Sequence, residues 1–132
     1  MELSELKELK ELLLYMNRLH GGVPSFIGEL PNLEDLNIWQ NNFTGLVPQQ
    51  LGVSGKLMIL DISHNKLTGS IPHSLCNGGR LEILTIENNL FFGPIPDSMG
   101  KCNSLQMLLM QQNYGSIPSG LLYLPMLTVI KL

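Results

Sequence analysis

Asn17, Asn41, Asn65, Asn89 and Asn113 recur every 24 residues, and no other feature limits the fold of this chain as tightly. Eight residues before them stand Leu9, Leu33, Leu57, Leu81 and Leu105, each opening a frame LxxLxLxxN, as in Leu57-Met58-Ile59-Leu60-Asp61-Ile62-Ser63-His64-Asn65. Within the frame a pair such as Leu36 and Ile38 alternates with Asp35, Asn37 and Trp39. That period of two turns one side of a short strand inward and the other outward. One such strand cannot hide its apolar side alone. Stacked coils can, because parallel strands about 4.8 Å apart line their leucines up in a shared interior. Residues 1–132 therefore read as a single domain of about five 24-residue coils, with a partial sixth opening at Leu127. On that spacing the body is roughly 25 Å long. Each Asn is expected to turn its amide inward, where its donors and acceptor meet free backbone groups of adjacent turns.

Past each Asn the same order returns. An apolar site at Leu19, Phe43, Leu67 and Phe91 is followed by Gly21, Gly45, Gly69, Gly93 and Gly115, then by Pro24, Pro48, Pro72, Pro96 and Pro118. The glycines permit a tight bend, and the prolines start a segment carrying a second apolar set, Ile27, Leu51, Leu75, Met99 and Leu121, on the far side. Leu3 and Leu6 fall in register with Ile27 and Leu30, so the chain starts partway through a coil; a free-standing amphipathic helix is the alternative. Neither end shows a polar capping unit, which predicts an incomplete or marginal piece.

Composition narrows the function. With 44% apolar and 14% charged residues the chain is no disordered polyelectrolyte, and a net charge of −3 argues against nucleic acid or an anionic membrane as partner. The longest apolar run, Leu12 to Met16, is far short of the roughly 20 residues of a membrane span. Met1-Glu2-Leu3-Ser4-Glu5 lacks the basic and apolar regions of a secretory signal. There is no GxGxxG, HRD, DFG, GxSxG or His-x-x-x-His pattern, so neither catalysis nor a cofactor or metal is expected.

Asn65-Lys66-Leu67-Thr68-Gly69-Ser70-Ile71-Pro72 matches the NxLxGxIP signature, by which the whole chain is identified as a plant-type leucine-rich repeat protein. The resemblance implies an α/β solenoid, a right-handed coil with a parallel sheet on its concave face and short 3-10 or helical segments on its convex face. Tyr15-Met16-Asn17-Arg18-Leu19-His20-Gly21-Gly22, Asn41-Asn42-Phe43-Thr44-Gly45, Phe91-Phe92-Gly93-Pro94-Ile95-Pro96 and Met99-Gly100-Lys101-Cys102 resemble the CLAVATA-type and BARELY ANY MERISTEM receptor kinases. That likeness implies a piece of an extracellular ectodomain on the plasma membrane that binds short CLE-type signalling peptides and works with a co-receptor, its membrane span and Ser/Thr kinase lying outside this chain. A secreted stand-alone module, decoy or polygalacturonase-inhibitor-like, and a truncated remnant without function are the alternatives. One departure stands out. Where that group carries an Arg-x-Arg pair that clamps the peptide's C-terminal end, this chain has Met107 and Leu109, which cannot pair with a carboxylate.

Binding residues are expected on the outward strand positions: Tyr15, Asn37, Trp39, Asp61, Ser63, His64, Thr85, Glu87, Gln111 and Lys131. Trp39 is an aromatic anchor or, equally, a ring packed on Tyr15 one coil back. Asp61, His64 and Glu87 form either a patch for a ligand amine or hydroxyl or a solvated face, while Met107 and Leu109 form an exposed apolar patch. Asn42-Phe43-Thr44 is a glycosylation sequon; His20 and His73 receive no role. Cys76 and Cys102 lie on neighbouring coils two positions out of register; a bridge is open, and free, partly buried thiols are expected. In coil five, Asn113-Tyr114-Gly115 stands where coil three has Asn65-Lys66-Leu67-Thr68-Gly69. The buried Leu67-type residue is then missing, Tyr114 partly fills the gap, and a packing fault or bulge is predicted.

Overall fold

A computed structural model describes residues 2–117 and 119–132, so Pro118 of the proline set lies outside the described residues. In every frame the alternating leucines bury their side chains in one continuous core: Leu36, Leu60, Leu84 and Leu108 are almost wholly inaccessible, as are Ile38, Ile62 and Ile86 behind them. The residues between them form short strands, β1 (Glu11–Leu13), β3 (Asp35–Asn37), β5 (Ile59–Asp61), β7 (Ile83–Thr85), β9 (Met107–Leu109) and β11 (Val129–Lys131). These pair in parallel, in that order, as one six-stranded sheet. The fold is a leucine-rich repeat solenoid.

The far side closes the core with Ile27, Leu51, Leu75, Met99 and Leu121, all buried. 3-10 helices at Leu3–Glu5, Ser25–Glu29, Asp97–Lys101 and Ser119–Tyr123 carry most of that side, and residues 49–54 and 73–78 form turns instead. There the backbones of adjacent coils approach closely: a Cβ on Gly78 would collide with the carbonyl of Gly55. The 3-10 helix at Leu3–Glu5 supports the coil register of the N-terminal leucines over a free-standing amphipathic helix.

Glycine and proline alone suggested only a bend after the Asn. The structure forms a second parallel sheet there, of β2 (His20–Gly22), β4 (Asn42–Leu46), β6 (Lys66–Gly69), β8 (Leu90–Pro94) and β10 (Tyr114–Ser116). Between the two sheets sits the Asn. Asn65 donates from Nδ2 to the carbonyl of Ile38 one coil back at 3.0 Å and to Ile62 and Ser63 in its own coil, and its Oδ1 accepts from the Phe43 N–H at 3.0 Å. Asn41, Asn89 and Asn113 repeat this pattern. Among the described residues Asn17 donates to Leu14 and Tyr15 of its own coil and makes no bond to another coil. The turn that aims each amide inward puts the preceding residue, Met16, Gln40, His64, Asn88 or Gln112, at φ between 52 and 59, a left-handed conformation that side chains avoid unless their surroundings fix it.

Two expectations need correction here. Cys76 and Cys102 form a disulfide rather than standing as free thiols, because adjacent coils bring their Cα atoms to 5.1 Å despite the offset in sequence. In coil five, Gly115 does not take the place of the bend glycines. The second sheet pairs Gly21 with Phe43, Gly45 with Leu67 and Gly69 with Phe91, and it then pairs Gly93 with Gly115. Gly115 thus occupies the buried Phe43, Leu67, Phe91 column, and it lacks the positive φ of Gly21, Gly45, Gly69 and Gly93. Tyr114 takes the outward Lys66 and Leu90 column, is 73% exposed and fills nothing. Where the side chain is missing, a pocket of about 90 Å³ opens, lined by Ile71, Phe91, Ile95, Met110, Ile117 and Leu132.

Replacing Asn65 by Ala should lower stability by about 2–4 kcal/mol, since it strands several buried backbone groups, whereas Asn17→Ala should lose less than about 1 kcal/mol. Urea denaturation of the two variants measures the difference, and equal losses would show that bridging coils is not what the amide contributes. Inserting a Leu-Thr pair between Tyr114 and Gly115 restores the regular frame and returns Gly115 to the bend. Denaturation should then show a gain of about 1–3 kcal/mol from refilling the pocket.

Candidate functional site

The outward side of the six-stranded sheet is the surface that the core leaves free, and strand register sorts its residues into columns. The first holds Glu11, Asp35, Ile59, Ile83, Met107 and Val129; the second holds Leu13, Asn37, Asp61, Thr85, Leu109 and Lys131. Just past the strand ends a third follows the frame: Tyr15, Trp39, Ser63, Glu87 and Gln111. His64 lies beyond it, in the left-handed turn position at φ 52 rather than on the strand.

Tyr15 and Trp39 stack, with ring centroids 6.1 Å apart and planes within 11°. Tyr15 stays exposed and Trp39 half-buried, so the pair forms an aromatic wall at the N-terminal end of the face. The Trp39 N–H donates to Asn37 Oδ1 at 3.3 Å, which fixes the backbone beneath the indole. His64 Nε2 and Glu87 Oε1 lie 3.6 Å apart, and the Asn88 amide nitrogen lies 3.3 Å from the same imidazole nitrogen. Asp61 does not join that pair. Its Oδ1 accepts from the Ser63 hydroxyl at 2.6 Å and from the Ser63 N–H at 3.1 Å. Ser63 is consequently buried and already satisfied, which leaves it little capacity for a ligand.

Thr85 is 7% exposed, and among the described residues its buried hydroxyl has no hydrogen-bond partner. As the outward residue between inward Leu84 and Ile86 it faces the concave side, with Asp61 and Leu109 as its strand neighbours. Gln111 is half-buried and Lys131 is exposed at the C-terminal end of the sheet. Met107 and Leu109 are half-buried rather than fully displayed, and with Ile59 and Ile83 they make an apolar band.

Asp35 was absent from the sequence candidates although its outward place in the frame was plain. Its Oδ1 is buried and has no hydrogen-bond partner among the described residues. Burial, with further contributions from the charges on Glu11 and Asp61, holds its carboxyl above the usual value of 3.8. The signal that could have found it is the run of acids, Glu11, Asp35 and Asp61, on adjoining strands. Among the described residues no group of three or more His, Cys, Asp or Glu is arranged to hold a metal ion, and no helix is long and apolar enough to cross a membrane.

A leucine rich repeat family profile matches residues 31–91. The chain is similar to the crystal structure of a TDR receptor, with 46% identity and a TM-score of 0.95 over 98% of this chain and 23% of that one. It is similar to the Arabidopsis receptor kinase HAESA, solved in complex with the peptide hormone IDA and the co-receptor SERK1, at 37% identity and a TM-score of 0.93 over 96% of this chain and 22% of that one. PEPR1 in its structure with AtPEP1 gives 32% identity and a TM-score of 0.88 over 93% of this chain and 18% of that one. The chain thus spans less than a quarter of the length of each of these three. No curated protein sequence matches it significantly.

A raised carboxyl pKa sets a sign for pH dependence. The native state holds the Asp35 proton more tightly than the unfolded chain, so stability falls as pH rises from 3.8 through the raised native value. Asp35→Asn removes that penalty. Its denaturation midpoint should exceed that of the wild type at pH 7, and the advantage should vanish near pH 3, where both states of the wild type are protonated.

Proposed function

We propose that this plant-type leucine-rich repeat chain, whose coils resemble those of receptor-kinase ectodomains, binds an extended peptide across the outward columns of its six-stranded sheet. The observation that carries the reading is the face itself: an aromatic wall at Tyr15 and Trp39, acids at Asp35 and Asp61, and an apolar band ending at Met107 and Leu109, on side chains the core does not use. Crossing parallel strands, a peptide meets a new set of outward residues about every 4.8 Å, roughly its own residue spacing times one and a half. Asn37, Glu87 and Gln111 supply polar contacts along that path.

HAESA is seen with the peptide hormone IDA and the co-receptor SERK1, and PEPR1 with AtPEP1, which supports a peptide and a co-receptor as partners here. A place outside the plasma membrane fits the disulfide, which persists in oxidising compartments. Asn42, exposed on β4 within its sequon, is accessible to glycosylation in that compartment. The function proposed is binding, not catalysis.

CLE-type peptides are the first ligands to test. Without the arginine fork the wild-type chain should bind them weakly, and Met107→Arg with Leu109→Arg together should tighten binding by about tenfold or more through charge-assisted bonds to the peptide's terminal carboxylate. Calorimetric titration of folded protein checks this. No heat from either protein at peptide concentrations on the order of tens of micromolar would remove CLE-type recognition.

A further inference from the structure

We propose that the pocket at Gly115 is a binding site for one small, neutral, apolar molecule the size of a single ring, of the class of toluene and other simple alkylbenzenes. None of the outward columns of the six-stranded sheet lines this pocket, so the site is separate from the peptide-binding face.

Its shape follows from the side chain that coil five lacks. Two residues past their Asn, coils two to four bury Phe43, Leu67 and Phe91, and coil five has Gly115 at the same place. The walls around Gly115 are thus those that elsewhere close on a branched or aromatic carbon group. A space of about 90 Å³ remains, room for one ring. For comparison, a cavity of roughly 150 Å³ lined by Leu, Ile and Phe takes up benzene. Substitution alone cannot refill the gap, because a Cβ on Gly115 would lie 2.7 Å from the Gly93 carbonyl oxygen. Pairing of β10 with β8 holds it open.

A ligand can reach this space from solvent. Ile71, Ile86, Phe91 and Ile95 make a buried floor, while the exposed Phe92, Ile117 and Leu132 mark the mouth. An apolar molecule therefore meets apolar carbon without any coil having to open.

Polarity narrows the chemical class. Among the described residues no Lys, Arg, His, Asp or Glu lines the pocket. Asn113, which borders it, is already engaged: Nδ2 donates to the Ile86 and Met110 carbonyls at 2.9 and 3.1 Å, and Oδ1 accepts from the Phe91 N–H at 3.2 Å. A charged ligand would lose its hydration and find nothing to replace it, and water entering finds few partners. A hydrocarbon ring has no polar group to desolvate and gains contact with walls that face one another across a gap.

Titration of the full chain with toluene tests this, read by methyl-resolved NMR and by thermal denaturation. The Met110 and Ile95 methyl signals should move saturably, with a Kd on the order of 1 mM, while Met58, which does not line the pocket, stays still. The melting temperature should rise with toluene concentration. Benzoate, the same ring carrying a charge, should bind at least about tenfold more weakly. Inserting Leu-Thr between Tyr114 and Gly115 refills the pocket and should abolish the response. Phe91→Leu gives coil four the side chain that coil three already carries, widens the floor, and should shift preference from toluene toward naphthalene. No saturable movement up to the solubility limit of toluene would overturn the proposal. So would an unchanged response in the folded insertion variant, or an unchanged preference in Phe91→Leu. Tighter binding of a capped Gly-Phe-Gly peptide than of toluene would overturn it in favour of a partner's side chain. A dimer in sedimentation that toluene does not dissociate would overturn it in favour of a second copy.

Discussion

One amide holds this architecture together. At the end of each concave strand the chain must leave one sheet and enter another, and backbone N–H and C=O groups at that corner have no strand partner. The Asn side chain supplies both missing functions at once, donating to the previous coil and accepting from it, so that the corner of each coil is completed by its neighbour. The left-handed residue before each Asn follows from that demand, since only such a turn points the amide inward. Stability in such a stack is a sum over interfaces, and the first and last coils expose Leu13 and Tyr15 and Val129, Ile130 and Leu132, while Leu46, Val53, Leu90 and Phe92 are exposed in the coils between.

Coil five shows how a repeat absorbs a deletion. Hydrogen bonding along the second sheet keeps its register, pairing Phe92 with Tyr114 and Gly93 with Gly115 as though nothing were missing. The side-chain ladder yields instead: a glycine falls in the column that belongs to Phe43, Leu67 and Phe91, and a pocket results. Strand pairing wins because each unpaired backbone group is costly to bury, while the loss of one apolar side chain near the exposed end is partly relieved by solvent. Alignment of the letters Asn, Tyr and Gly with the frame suggested the opposite compromise, because alignment weighs residue identity and the structure weighs backbone pairing.

The concave face was legible in outline and not in detail. Alternation in the frame assigns Asp61, Ser63, Thr85 and Trp39 to the outward side, and there they stand. What alternation cannot give is the company each keeps. Ser63 is tied up by Asp61 within its own strand end, Thr85 is covered by its neighbours while its hydroxyl stays unpaired, and Asp35 is half-buried in the field of two other acids. Trp39 offered two readings, an anchor or a ring packed on Tyr15, and the stack realises the second without hiding the rings from solvent.

Period, frame and alternation are local properties of the chain, and they sufficed for the solenoid, its parallel sheet, its buried leucines and the side chains left outward on that sheet, because every coil repeats one solution to one packing problem. The disulfide between Cys76 and Cys102, the second sheet, the register at Gly115 and the unsatisfied groups around Asp35 and Thr85 were decided only when coils stacked. Each depends on a distance between residues more than twenty positions apart, and a one-dimensional repeat states that two coils are neighbours without stating which atoms meet.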